Sequence, residues 1–161
     1  MKYLILIILS IFNLQAYAEK LPTSEEIYNG LMPSEKTRGL SIEKREKPSM
    51  NFTVNFDYNS SVVTKASEEI LNRLGAALSK KDLGAYRFQI IGHTDAKGDE
   101  QFNLDLSNRR AKAVLEYLIK NFSIPADHLT PIGKGKSELL PGIDPFDGKN
   151  RRVQVVNLLT K

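Results

Sequence analysis

The sequence contains no cysteine. It therefore has no disulfide, no thiolate metal ligand and no N-terminal cysteine to carry a lipid, and an exported chain of this kind must rely on its hydrophobic core. Histidine is scarce, with only His93 and His128 present. Neither has the acid-and-histidine spacing of a zinc protease, so no metal site is expected. No Gly-x-Ser-x-Gly elbow occurs. Gly135-Lys136-Ser137 is similar to the end of a phosphate-binding loop, but Thr130 stands where the first glycine of that loop belongs. Asp144-Pro145-Phe146-Asp147-Gly148 is too short and irregular for a calcium loop. These absences point away from an enzyme, a metal and a cofactor. A dominant charge of one sign is missing too. The formal net charge is +4 over 161 residues, and basic residues alternate with acidic ones, so no nucleic-acid partner is expected.

One long apolar run exists, Tyr3 to Phe12, interrupted only by Ser10. Lys2 precedes it, and Ala16-Tyr17-Ala18 follows as a small-x-small cleavage pattern. Residues 1–18 therefore read as a secretory signal cut before Glu19, which removes Lys2 and lowers the formal charge from +4 to +3. An uncleaved anchor is the alternative, but the run is shorter than the ~20 residues of a membrane span. No comparable run follows, so the mature chain is expected to be soluble or peripheral.

Residues 19–49 are polar and charged and read as a linker or loosely packed arm. Within them Ser24 is a candidate cap for a short helix with Ile27 and Leu31 on one face. From Met50 the pattern changes. Phe52, Val54 and Phe56 alternate with polar residues as in a half-buried strand, and Asp57-Tyr58-Asn59-Ser60 ends it with turn residues. Thr64 or Ser67 opens a helix carrying Ile70, Leu74 and Leu78. Tyr86 to Ile91 is a second strand, with Phe88 and Ile90 on one side. A helix from about Gln101 to Asn121 presents Ala111, Val114, Leu115 and Leu118, and Pro125 lies beyond its end. Leu129 to Ile132 is a third strand. Gly133 to Asn150, with four glycines and two prolines, is a long loop, and Arg152 to Leu158 is the last strand. The expected domain, residues 50–161, is α/β (α+β): a β-α-β-α-β-β mixed sheet with two helices on one face.

The informative residues lie around the second helix. Asn103, Leu106 and Arg110 share one helical stripe, because seven residues turn ~700° and leave Asn103 and Arg110 ~20° apart. Asp95 lies where the second strand ends and the chain turns toward that helix. A carboxylate recognises an ammonium, and a guanidinium recognises a carboxylate through a planar fork of donors. Together they suit a zwitterion, though the spacing fits a plain Asp95–Arg110 salt bridge equally. Neither residue lies on the apolar stripe, so both are expected to be dispensable for folding.

Three motifs in order carry a resemblance: Gly92-His93-Thr94-Asp95, then Asn103-x-x-Leu106-Ser107-x-x-Arg110-Ala111, then Asn150-Arg151-Arg152-Val153. They resemble the OmpA-like peptidoglycan-binding family, which includes the Pal and MotB periplasmic domains. Phe56-Asp57-Tyr58-Asn59-Ser60 resembles that family's turn after its first strand. The resemblance implies non-catalytic binding of peptidoglycan through the diaminopimelate side chain of its stem peptide. It implies that Asp95 takes the ligand's ammonium and Arg110 its carboxylate, with Thr94 and Asn103 lining the pocket and Leu106 touching the methylenes. Arg151 is implied to approach from the last strand, and Asp57, Tyr58 and Asn59 to offer backbone N–H groups. His93 is expected to be packed rather than a ligand. The chain lacks the acylated cysteine of Pal, the retained membrane helix of MotB and room for the barrel of the larger OmpA proteins. A free-standing periplasmic, wall-associated domain is therefore expected, either free or peripheral at the outer membrane, and its arm, residues 19–49, is a candidate contact for an envelope protein. An envelope interaction module and a wall hydrolase are the alternative functions.

Overall fold

The protein is described here by a computed structural model covering residues 20–34, 46–57 and 59–160. The expected signal segment, part of the arm and Tyr58 lie outside the described residues. The elements in order are α1 (Ser24–Leu31), β1 (Ser49–Phe52), α2 (Lys65–Leu78), β2 (Phe88–His93), α3 (Glu100–Phe122), β3 (Leu129–Gly135) and β4 (Val153–Asn157), with three short 3-10 turns between them. The β-α-β-α-β-β order holds, preceded by one further helix. The strands form a mixed sheet in the order β1-β4-β2-β3. β4 lies antiparallel to both β1 and β2, while β2 and β3 run parallel across α3. No helix of the described residues is long and apolar enough to cross a membrane.

Alternation of side chains explains the core. Phe88 and Ile90 of β2, Val153 and Val155 of β4, Phe52 of β1 and Leu129 of β3 join one apolar cluster. Ile70, Leu71, Leu74 and Leu78 of α2 and Ala111, Val114 and Leu118 of α3 close it from the helical side. The start of α2 is tied to the strand before it. Ser67 Oγ accepts the Asn55 N–H at 2.7 Å and donates to the Asn55 carbonyl at 2.9 Å. β1 is shorter than the alternation predicts. Phe56 joins only an isolated bridge to Val63, because the chain turns at Asp57–Ser60, where the Ser60 N–H donates to the Asp57 carbonyl at 3.0 Å.

Residues 24–31 depart from the expectation of a loosely packed arm. Thr23, rather than Ser24, caps α1, and with Glu26 it forms a reciprocal capping box. Ile27 and Leu31 are fully buried in the main cluster. Asn157, buried on β4, donates its Nδ2 to the Leu31 carbonyl at 2.9 Å. Leu21, Tyr28 and Met32 pack on the same cluster, and Arg73 Nη1 donates to the Leu21 carbonyl at 2.8 Å, so the helix docks through more than its two buried residues.

The second sheet face carries His93, which is only 2% exposed. Burial is the first cause that lowers its pKa, to about 4, and the positive Arg152 is the second. The unfolded chain protonates this imidazole near its ordinary value of about 6.5. Stability is then complete above pH ~6.5 and is lost progressively as pH falls toward 4.

Two outcomes follow. Ile27→Ala should destabilise the protein by about 2–5 kcal/mol in chemical denaturation, and a cost under about 0.5 kcal/mol would mean that α1 is not part of the core. Denaturation between pH 7 and pH 5 should show a falling stability, bounded at ~3 kcal/mol over the full window down to pH 4. His93→Gln should flatten that slope, since carboxylates titrate at lower pH.

Candidate functional site

Helix α3 reaches its position through an unusually close approach to the sheet. A Cβ on Gly92 would lie 2.4 Å from the Ser107 carbonyl oxygen, so only glycine fits there. Gly135 has a φ of +53° and its N–H donates to Ser107 Oγ at 2.8 Å. Ser107 Oγ donates in turn to the Leu104 carbonyl at 2.8 Å. With Ser107 pressed on the strands, Asn103, Leu106 and Arg110 lie over the end of β2. Asp99 caps the helix by accepting the Phe102 N–H at 3.1 Å.

A cavity of about 460 Å³ opens at this place, lined in part by Thr94, Asp95, Asn103, Leu106, Arg110 and Arg151. Asp57 and Asn59 form a further part of its wall. The structure therefore brings together every described residue of the expected site. Thr94 is buried, and its Oγ1 donates to the Asp95 carbonyl at 2.9 Å. Asn103 is buried and donates its Nδ2 to the Lys97 carbonyl at 2.9 Å, which fixes the loop that carries Asp95. Asn59 takes a positive φ of 51° in the turn opposite.

The charges are arranged differently from the simple pair that the spacing suggests. Asp95 Oδ2 is bridged at 2.6 Å by Arg151 Nη1, not by Arg110. Its Oδ1 accepts the Lys97 N–H at 3.1 Å. Arg151 does not come from the last strand; it stands just before β4, closing the short turn Gly148–Asn150. Arg110 is 9% exposed and its Nε donates to the Ser60 carbonyl at 3.1 Å. Its guanidinium carbon lies 4.9 Å from the centre of the Phe56 ring. The terminal amino groups of Arg110 make no hydrogen bond to a described residue. Burial and then the neighbouring Arg151 lower the pKa of Arg110, and Asp95 opposes them. Two guanidinium groups thus stand at the cavity with one carboxylate, which is bonded to Arg151 and not to Arg110, leaving capacity for an anionic group.

A sequence model of the OmpA family matches residues 55–152. The chain belongs to the OmpA family. It is similar to outer membrane protein A of Serratia marcescens, with 33% identity over 87 residues, 54% of this chain and 24% of that protein. The chain thus spans about a quarter of the length of that relative. Its fold is similar to the OmpA-like domain of FopA1 from Francisella tularensis, with TM-score 0.58 and 20% identity, covering 67% of this chain and 71% of that one. It is also similar to the peptidoglycan-associated lipoprotein of Burkholderia pseudomallei, with TM-score 0.54 and 26% identity, covering 65% and 87% respectively.

Within this OmpA-family domain, four cavity residues were not legible as site residues: Phe56, Lys97, Gly98 and Phe102. Phe56 reads as a core position by alternation, yet it backs the Arg110 guanidinium. The flanks of the Asp95 motif offered the available signal for Lys97 and Gly98. Asn150 has a positioning role that its motif alone does not reveal. Fully buried, it accepts the Leu140 N–H at 2.8 Å and donates to the Asp144 carbonyl at 2.9 Å.

The expectation that Arg110 is dispensable for folding is revised by its burial and by its bond to the Ser60 turn. Arg110→Ala should cost about 1–2 kcal/mol in chemical denaturation, through the lost hydrogen bond and ring contact. Asp95→Ala should cost less than about 1 kcal/mol, because Arg151 is 53% exposed and its ion pair is screened. The reverse order of stabilities would show that Asp95, not Arg110, holds this end of the domain together.

Proposed function

We propose that this domain binds peptidoglycan without cleaving it, by holding the diaminopimelate side chain of the stem peptide, and so tethers the chain to the wall in the periplasm. The observation that carries the reading is the buried Arg110, whose Nε is committed to Ser60 while its terminal amino groups are left for a ligand. A guanidinium so placed takes a carboxylate through two parallel hydrogen bonds. Asp95 takes the ammonium of the same ligand carbon. Each carboxylate oxygen has more than one acceptor site, so the ammonium binds beside Arg151 or displaces it toward solvent. Thr94 and Asn103 line the pocket, Leu106 meets the ligand's methylenes, and the turn at Asp57–Asn59 closes the opposite wall. Family membership supports the reading, as does the name of the similar Burkholderia protein, a peptidoglycan-associated lipoprotein.

The chemistry of the pocket is that of recognition. Its carboxylate is neutralised by an arginine, and its buried cation is oriented by a carbonyl and a ring; this assembly supplies no activated nucleophile. An envelope protein partner held through residues 19–49 remains part of the proposal. Ile27 and Leu31 are committed to the core, so that contact falls to the exposed residues of the segment.

Pulldown with purified wall tests the proposal. Wall carrying diaminopimelate should retain the protein, and wall with lysine in its place should retain it poorly, since lysine lacks the second carboxylate for Arg110. Asp95→Ala and Arg110→Ala should each weaken retention by about 30- to 5,000-fold, the order expected when one partner of a desolvated charge pair is removed. Arg110→Lys should not restore binding, because an ammonium has no planar fork. Equal retention on both walls would sink the zwitterion reading.

A further inference from the structure

The large apolar side chains left exposed among the described residues are Val62, Phe102, Leu104 and Phe146. Phe102 lines the cavity itself. Phe146 follows Pro145, whose carbonyl accepts the Ala96 N–H at 2.9 Å, next to Asp95. Phe102 and Phe146 therefore flank the 95–98 loop. Single exposed hydrophobic residues are ordinary, but two exposed aromatic rings on either side of a pocket loop are candidates for a contact surface.

Phe146 is the informative member. It is 65% exposed and contributes nothing to the core. Yet its loop is held firmly: the Phe146 N–H donates to Asp144 Oδ1 at 2.8 Å, and the Asp147 N–H to the Asp144 carbonyl at 2.9 Å. Buried Asn150 fixes the same loop through the Asp144 carbonyl. A ring presented to solvent on a clamped loop is pre-organised for a contact outside the fold.

We propose that Phe146, with Phe102, forms a platform for the glycan strand that bears the bound stem peptide. This rests on the stem-peptide reading of the pocket. The charged cavity accounts for a zwitterion, and the rest of such a ligand must run across the rim. The uncharged amino sugars of the strand present C–H faces and acetyl methyl groups, which match a phenyl ring and have no need of the arginines.

The test compares two soluble ligands by calorimetry on the full chain: a diaminopimelate stem peptide alone, and the same peptide on its disaccharide. The native protein should bind the sugar-bearing ligand about 3- to 10-fold more tightly, the order given by covering one aromatic face. Phe146→Ser should abolish that preference, leave affinity for the bare peptide unchanged and melt as the native protein does. Asp95→Ala should weaken both ligands alike. If the native protein binds the peptide without preferring the sugar, or if Phe146→Ser keeps the preference, the platform is overturned while the pocket stands. If the native protein binds neither ligand, the stem-peptide reading falls and the platform with it. Phe146-dependent pelleting on phosphatidylglycerol vesicles, without a sugar preference, would make the rim a membrane surface and overturn the glycan assignment.

Discussion

The contact between Ser107 of α3 and the glycines of β2 and β3 is the constraint on which the candidate site depends. Helix and sheet ordinarily keep the distance that a side chain imposes. Here Gly92 lets the Ser107 carbonyl come close, and Ser107 Oγ takes the Gly135 N–H. The Gly133 N–H is held by Asn108 Oδ1 at 2.7 Å in the same seam. A helix seated in this way has no freedom to roll. Asn103, Leu106 and Arg110, spaced three and four residues apart, are then delivered to the end of β2, where Asp95 emerges. An alanine at Gly92 would push α3 outward and spread every member of the pocket.

The second element of the site is the loop between β3 and β4. Three successive residues divide the labour. Asn150 is buried and holds the loop from within. Arg151 turns to Asp95 on the cavity side. Arg152 turns to the other face of the sheet, where it donates to Asn51 Oδ1 at 3.1 Å and to the Glu138 carbonyl at 3.2 Å. Its charge also helps to keep His93 neutral. The adjacent arginines thus serve opposite faces, as alternation near a strand requires. Because Arg151 rests on Asp95, the Arg110 guanidinium is left without a bound carboxylate among the described residues. On the proposed reading the cavity takes an anion as well as an ammonium, and burial of Arg110 would make an incoming carboxylate count for more than it would in water.

Much of the fold was legible in periodicity. Period two marked the start of β1 and β2, and the four-residue recurrence of Ile70, Leu74 and Leu78 marked α2, because these patterns are imposed by burial of one face. Helix α1 was harder to place. Its Ile27 and Leu31 form a short stripe within a polar stretch, and nothing local indicates that the main core has room for both. The end of β1 was also misread, since alternation continues to Phe56 after the strand has left the sheet.

The sequence by itself determined the residue types of the site and their grouping on one helical stripe, since 3.6 residues per turn fixes how Asn103, Leu106 and Arg110 lie. It determined the family resemblance and the absence of cysteine chemistry. Only the tertiary structure decided which arginine meets Asp95, because Arg151 is 56 residues away in the chain and arrives through a loop pinned by Asn150. It alone decided that Arg110 is buried against Phe56, and that α1 completes the core. Pairing and burial across such separations depend on distances between elements, and those distances are set by the close seam of α3 on the sheet rather than by any local pattern.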